Sequence, residues 1–301
     1  MGNMAAQIYH LAQQSGMVDI DTDYKRSEHA AELRAQGVTD WHSIGQQTHI
    51  TESATYEKYK SCWKELGSFS KENGYGTKLT KISAECVSAF LTTKLESGKA
   101  YNTMMGYLTA INKLDGFINA ATGHPARFSG VPDGMRQEIK DTAPKTDTET
   151  RAFENPRAVI DAIQDPRCRL AAELQLQTGL RVHDVTFIRL NENGTLNINS
   201  KAGRRIENYQ IPQQLSDRLR AINGGAGTFH LTGYNHYAYE LKKACVATGE
   251  HYTGTHAFRH SYAKESYAMH IKEGMSEEQA KAAVSEELFH HRLEVVEIYL
   301  R

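Results

Sequence analysis

Six side chains in the second half of the sequence have types and an order suited to breaking a phosphodiester: Arg181, Lys201, His256, Arg259, His290 and Tyr299. They fall in four pieces. Thr178-Gly179-Leu180-Arg181 comes first, followed by Asp184. Lys201 lies between two short strand-like runs. His256-Ala257-Phe258-Arg259-His260 is third, and Leu288-Phe289-His290 with Tyr299 is fourth. Cleavage without a metal needs a nucleophile, donors around the non-bridging oxygens and an acid for the departing oxygen. Arginine forks donate bidentately to phosphate and stay charged, so Arg181 and Arg259 together would clamp it and stabilise a pentacoordinate transition state. A lysine on a turn, Lys201, would protonate the leaving oxygen. Histidines such as His256 and His290 donate to phosphate or relay protons near neutral pH. A phenol such as Tyr299 can attack and hold the bond as a covalent ester.

Each piece alone has an ordinary explanation. Arg181 would serve at a helix start, Lys201 as a solvated turn lysine, and Tyr299 as one of 15 tyrosines that pack. His256 and His260, four apart on a helix, would also suit a structural ladder or a metal pair, which leaves a metal-dependent phosphohydrolase as an alternative. No acidic ligand stands inside that motif. The conjunction in one order is what favours phosphoryl transfer through Tyr299.

The four pieces resemble the tyrosine recombinase (phage integrase) family, whose catalytic domain reads roughly T-G-L-R-x-x-E/D, a hairpin Lys, H-x-L-R-H, L-G-H and a nucleophilic Tyr. The likeness covers about residues 155–299. It implies a DNA strand transferase that works through a 3′-phosphotyrosyl link and a Holliday junction, on double-stranded DNA with specific recombination sites. It implies a homotetramer on DNA, accessory DNA-bending or directionality proteins, no cofactor and no metal. Arg181, Arg259 and His290 would stabilise the phosphorane, Lys201 act as acid and His256 assist proton transfer. Asp184 and His260 would support by orienting neighbours. A mobile-element integrase is the expected role; a Xer-like dimer resolvase and a type IB topoisomerase-like enzyme are the alternatives, with a binding-only regulator disfavoured by the complete residue set. Three departures stand out. Phe289 replaces the usual Gly, and the interval from Arg259 to His290 is 31 residues, longer than the family commonly shows. The sequence also has only two residues after Tyr299, so protomers would interlock without a following helix, with residues 1–45 as a substitute.

The elements around these residues follow from periodicity. Residues 1–45 read as a polar N-terminal helical extension. Residues 46–142 read as a helical unit, with Tyr56, Tyr59, Trp63, Leu66 and Phe69 on one face and Thr51 or Ser53 at its cap. Ser83 caps the next helix, and Met104, Leu108, Ile111, Leu114 and Ile118 recur at helical spacing in a third. By shape and position this unit is similar to the family's core-binding domain, a SAM-like DNA-binding module. The polar stretch 143–153 reads as a linker, and 154–301 as the catalytic domain. Residues 196–199 and 209–211 alternate like strands. The fold class expected is mainly α with a small antiparallel β-sheet (α+β), two domains forming a DNA clamp. Candidate DNA contacts are Lys58, Lys60, Lys64, Asn102 and Thr103 in the first domain. In the second they are Arg204, Arg205, Tyr239, Lys242 and Lys243.

Composition bounds the answer. The chain has 301 residues, 35 Lys+Arg against 36 Asp+Glu and 40% hydrophobic residues, ordinary values for a globular protein. No basic excess advertises a nucleic-acid partner. Phosphate binding instead depends on a few convergent cations, supported by a crowd of histidines: eight of 14 lie at or after His230. The four cysteines (Cys62, Cys86, Cys168, Cys245) show no C-x-x-C pair and read as buried apolar side chains of a reducing compartment. Neither a secretory leader nor a membrane-spanning run is visible, so the expected location is cytoplasmic, nucleoid-associated when on DNA.

Overall fold

The computed structural model describes residues 3–20, 22–145, 150–199, 205–290 and 293–301. The chain divides into two compact units, Met1–Thr146 and Asp147–Arg301. The division falls inside the stretch expected to be a linker.

The first unit is built from α1 (Met4–Ser15), α2 (Arg26–Ala35), α3 (Trp41–Gln47), α4 (Ser53–Glu72), α5 (Ala84–Glu96), α6 (Tyr101–Thr122), α7 (Val131–Gly134) and α8 (Arg136–Thr142). Capping side chains set several starts: Asp40 accepts from His42 and Ser43 N–H at 3.0 and 2.8 Å, and Ser83 from Cys86 N–H at 3.3 Å. Helix α4 departs from expectation. Glu52 holds its cap position and no side chain caps it. The apolar stripe of α6 is buried from Met104 through Leu108, Ile111 and Leu114 to Ile118, packed with Trp63, Leu66, Phe90 and Phe117. The Trp63 indole donates to the Ala110 carbonyl at 2.7 Å, so its one polar atom is satisfied inside the core.

Residues 1–45 are not a separate extension. Ile8, Leu11 and Ala12 of α1 join the same core as α4 and α6. Helices α2 and α3 bury their own small cluster of Ala30, Leu33 and Ile44. Lys113 seats α3 on α6, donating to the carbonyls of Gly45 (2.8 Å), Gln46 and Thr48. Gly116 makes that approach possible, because a Cβ there would run into the Gln46 carbonyl oxygen. The helices look like an appendage in sequence because so much of their surface is polar; their docking rests on a few apolar residues and one lysine.

The second unit runs α9 (Pro156–Ala162), α10 (Pro166–Thr178), α11 (Val182–Thr186), β1 (Phe187–Leu190), β2 (Leu196–Asn199), β3 (Arg205–Tyr209), α12 (Gln213–Asn223), β4 (Gly227–His230), α13 (Tyr234–Thr248), α14 (Ala257–Lys272), α15 (Glu277–Glu287) and α16 (Leu293–Leu300). Helix α10 buries Cys168, Leu170, Ala171, Leu174, Gln175, Leu176 and Thr178, more than one face, as a central helix must. Helix α14 packs against α10, α15 and α16. Among the described residues the sheet has order β3-β2-β1-β4, all antiparallel. The expected mainly α fold with a small antiparallel sheet is what forms. Strands β1 and β4 were not expected. The run at 209–211 also shifts: β3 ends at Tyr209. No described helix is long and apolar enough to cross a membrane.

Candidate active site

The first piece sits where α10 stops. Gly179 takes φ +64°, and a Cβ on it would lie 2.5 Å from the Tyr262 ring and 2.9 Å from Leu288. Only glycine meets both demands. Thr178 locks the turn, its hydroxyl donating to the Leu174 carbonyl and accepting from Leu180 N–H at 3.3 Å. Tyr209 Oη, from the end of β3, donates to the Thr178 carbonyl at 3.2 Å. Arg181 follows in extended backbone as the residue before α11, and its carbonyl accepts from Asp184 N–H at 2.9 Å.

The third piece opens α14. Arg259 is fully buried. Its Nη1 donates to the Gly179 carbonyl, and its Nη2 to the Leu288 carbonyl at 2.6 Å and toward His290 Nε2 at 3.2 Å. Its Nε points at Tyr299 Oη, 3.4 Å away. One guanidinium thus ties together the end of α10, the end of α15 and the tyrosine of α16. Among the described residues its hydrogen-bond partners are carbonyls, an imidazole and a phenol, none of them a carboxylate. A buried cation with no carboxylate partner is stabilised by any anion that reaches it.

The fourth piece is a helix stop with the wrong residue in it. Helix α15 ends in two C-terminal hydrogen bonds, Phe289 N–H to Glu286 O and His290 N–H to Ser285 O, both 2.9 Å. That is the Schellman pattern, which places its residue after the cap in the left-handed region. Phe289 occupies it at φ +56°. The departure from Gly therefore leaves the backbone shape in place at the expense of strain. The Phe289 ring is held edge-on to Tyr209 with centroids 5.7 Å apart. The turn projects His290 so that its Nε2 lies 3.2 Å from Tyr299 Oη. Glu287, just before it, is a second tie. Its carboxylate accepts from Tyr262 Oη (2.9 Å) and Ser266 Oγ (2.5 Å), and His270 Nε2 lies 2.7 Å away.

Tyr299 is therefore met on three sides, by Arg259, by His290 and by the ring of His260, whose centroid is 4.5 Å from its own. His260 also hydrogen-bonds the Tyr299 backbone, but burial outweighs that and pushes its imidazole down to about 4. Burial also lowers His256, helped by Arg259, Arg151 and Arg181. Both rings are thus driven toward the neutral form. Burial raises the Asp184 carboxyl, opposed by His183, Arg181, Arg259 and Arg189. Three buried atoms of this region, His256 Nδ1, His260 Nδ1 and Asp184 Oδ1, have no hydrogen-bond partner among the described residues. Each such atom costs about 1–3 kcal/mol, which a fold tolerates best where a polar ligand is to bind.

The structure brings Arg259, His260, His290 and Tyr299 into contact. The charges of Arg181 and Arg259 act on both Asp184 and His256, placing all four in one electrostatic neighbourhood. Lys201 and Arg204 lie outside the described residues. Arg205 is exposed on β3. Lys58, Lys64, Asn102 and Thr103 are exposed on α4 and α6. Lys60 is half-buried, 2.5 Å from Glu57 and over the Tyr56 ring. Tyr239, Lys242 and Lys243 are exposed on α13, with Lys243 over the Tyr239 ring and 3.0 Å from Glu240. Two residues escaped sequence reasoning. Arg151, read as linker, donates to the Thr253 carbonyl at 2.9 Å and helps depress both His256 and His260. Glu287, not singled out from the sequence, is the tie described above. Neither carries a local signal in sequence, because each acts through contacts made across long separations.

No family model matches the chain, and no curated protein matches it. Solved structures do. The Tn1549 transposon integrase in complex with transposon right end DNA aligns with 92% of this chain and 95% of its own, at TM-score 0.51 and 12% identity. The same integrase with a circular intermediate DNA aligns over 92% and 94%, at TM-score 0.51 and 13% identity. Over nearly its whole length, then, this chain shares the fold of the Tn1549 transposon integrase.

Proposed function

We propose that this protein is a tyrosine-type site-specific DNA recombinase, with Tyr299 as the nucleophile. The observation that carries the proposal is the placement of Tyr299 Oη between Arg259 Nε and His290 Nε2, at 3.4 and 3.2 Å. A phenol seated against two side chains that also suit a phosphate is positioned for attack once a phosphate enters. When a scissile phosphate enters, Arg259 and Arg181 would take its non-bridging oxygens, with His290 adding a further donor. Tyr299 Oη attacks phosphorus and the 5′-oxygen departs, leaving a 3′-phosphotyrosyl ester. His256, which burial and its cationic neighbours keep toward the neutral form, is proposed to assist removal of the phenol proton. Lys201 is proposed as the acid that protonates the 5′-oxygen. The reverse attack by another strand's 5′-hydroxyl restores the phosphodiester and frees Tyr299.

Asp184 and His260 are proposed as positioning residues, Asp184 through its charge acting on Arg181 and Arg259 and His260 against the Tyr299 ring. The exposed Lys58, Lys64, Asn102, Thr103, Arg205, Tyr239 and Lys242, with Lys60, Arg204 and Lys243, are proposed as DNA contacts. Phosphate contacts would supply salt-dependent affinity and base contacts the site preference. The domain reading proposed is a helical DNA-binding unit joined near 143–153 to a catalytic unit. The biological role proposed is that of a mobile-element integrase assembled as a tetramer on two sites. It is supported by the fold shared with an integrase solved on transposon-end and circular-intermediate DNA. The test is incubation with nicked suicide substrates carrying candidate element ends, in EDTA. A covalent protein–DNA adduct that disappears in Tyr299→Phe is expected. An adduct that persists in Tyr299→Phe would refute the assignment.

A further inference from the structure

Far from the catalytic cluster, three side chains of different ligand chemistry converge at the start of α10. Asp165, Cys168 and His236 place one donor atom each within 4.8 Å of one another. Asp165 Oδ2 and His236 Nε2 are 3.4 Å apart. That is the donor–donor edge of a tetrahedron with metal–ligand bonds of about 2.1 Å. We propose that Asp165, Cys168 and His236 form a binding site for a divalent transition metal, with Zn²⁺ the best match, clamping α10 to α13. The ligand set decides the class. A thiol with an imidazole selects a borderline-soft ion over Mg²⁺ or Ca²⁺, which take oxygen.

The site is held in shape from outside. Asp165 Oδ1 is fixed by the helix cap, accepting from Arg167 and Cys168 N–H at 2.9 and 2.8 Å, which leaves Oδ2 for the ion. The Asp165 N–H in turn donates to Glu240 Oε2 at 3.3 Å, and Lys243 occupies Glu240 Oε1. Thr232 Oγ1 lies 3.2 Å from Cys168 Sγ, placed to donate to a thiolate. Such outer partners orient metal ligands and tune them. His236, on an exposed first turn of α13, supplies the adjustable ligand and the entry side. Binding breaks the Cys168 S–H bond, forms a metal–sulfur bond and releases the proton to solvent. Water completes the fourth position. Helix α10 has 13 residues, so this site and Gly179 lie about 20 Å apart at its two ends. The metal would brace the helix that carries Tyr239 and Lys242 and take no part in cleavage, so the proposal stands apart from the catalytic reading.

The test is titration of Co²⁺, then Zn²⁺, into untagged full-length protein freed of metal. Expected are one Co²⁺ per chain with a sulfur-to-cobalt charge-transfer band, release of a proton on binding, and displacement by Zn²⁺ with a rise in Tm. Cys168→Ser should abolish the band. Because that position is buried, Asp165→Asn, which keeps a capping oxygen, and His236→Ala, at a surface position, serve as folded controls. Each should weaken Co²⁺ binding at least tenfold. Absence of the band in wild type, its persistence in Cys168→Ser, or unchanged affinity in both controls would each overturn the proposal.

Discussion

Phe289 offers a test in which the usual order of substitutions reverses. Inside a helix, replacing Ala by Gly costs about 1 kcal/mol. At residue 289 the left-handed backbone, φ +56°, penalises any residue with a Cβ by about 1–2 kcal/mol and leaves Gly unpenalised. Truncation of Phe289 removes the edge-on contact with Tyr209, worth about 0.5–1.5 kcal/mol, in either variant. It also removes the burial of a half-exposed ring, about 1 kcal/mol. These losses cancel when Phe289→Gly is compared with Phe289→Ala. After allowance for the greater chain entropy of unfolded Gly, the Gly variant should be the more stable by about 1 kcal/mol. Urea unfolding of the two variants measures the difference. Ala282→Gly, at an exposed position inside α15, provides the control and should lose about 1 kcal/mol. The turn aims His290 at Tyr299, so adduct formation should also fall further in Phe289→Ala than in Phe289→Gly. If Phe289→Gly proves the less stable by the margin seen at residue 282, the Schellman turn and the His290 placement built on it are wrong.

Other consequences follow from the same reasoning. Gly179→Ala combines a left-handed backbone with clashes on Tyr262 and Leu288, so it should lose about 2–5 kcal/mol in urea unfolding and displace the carbonyl that holds Arg259. In α6, Gly106 has open space around it while Gly116 faces the Gln46 carbonyl. Gly106→Ala should stabilise by about 1 kcal/mol and Gly116→Ala destabilise by about 1–3 kcal/mol in the same assay. His260 is held near 4 in the folded chain against about 6.5 unfolded, so the unfolded state binds the extra proton as pH falls from 6.5 toward 4. Stability is therefore lost in that window, by up to about 2 kcal/mol between pH 7 and pH 5, less where solvent screens the ring. His260→Asn should remove that part of the slope, and an unchanged slope would contradict the burial of the ring.

The pieces of the candidate site were legible in sequence because phosphoryl transfer would need particular side chains and the turns that present them need particular residues. Thr178-Gly179-Leu180-Arg181 declares a helix stop followed by a cation, and the structure shows why its Gly is demanded twice over. The Leu288-Phe289-His290 turn was legible as an anomaly, and the helix-stop hydrogen bonds explain how Phe289 keeps the shape. The sheet was only half legible. Strand β1 has four residues directly after a helix, and β4 starts at Gly227, so neither shows the alternation that marks β2. The role of α1 was hidden because three buried residues on a polar helix resemble an ordinary surface stripe. Arg151 and Glu287 were invisible because what matters about them is made by partners such as Thr253, Tyr262 and His270.

The central claim is that Tyr299, and no other residue, forms the bond to DNA. Tryptic digestion of the trapped adduct, after nuclease trimming, releases the peptide Leu293–Arg301, in which Tyr299 is the sole hydroxyl-bearing side chain. Mass spectrometry of that peptide tests the claim most directly. The account predicts a nucleotide or phosphate mass on Leu293–Arg301. An adduct mapping to any other peptide, with Leu293–Arg301 recovered unmodified, would contradict it.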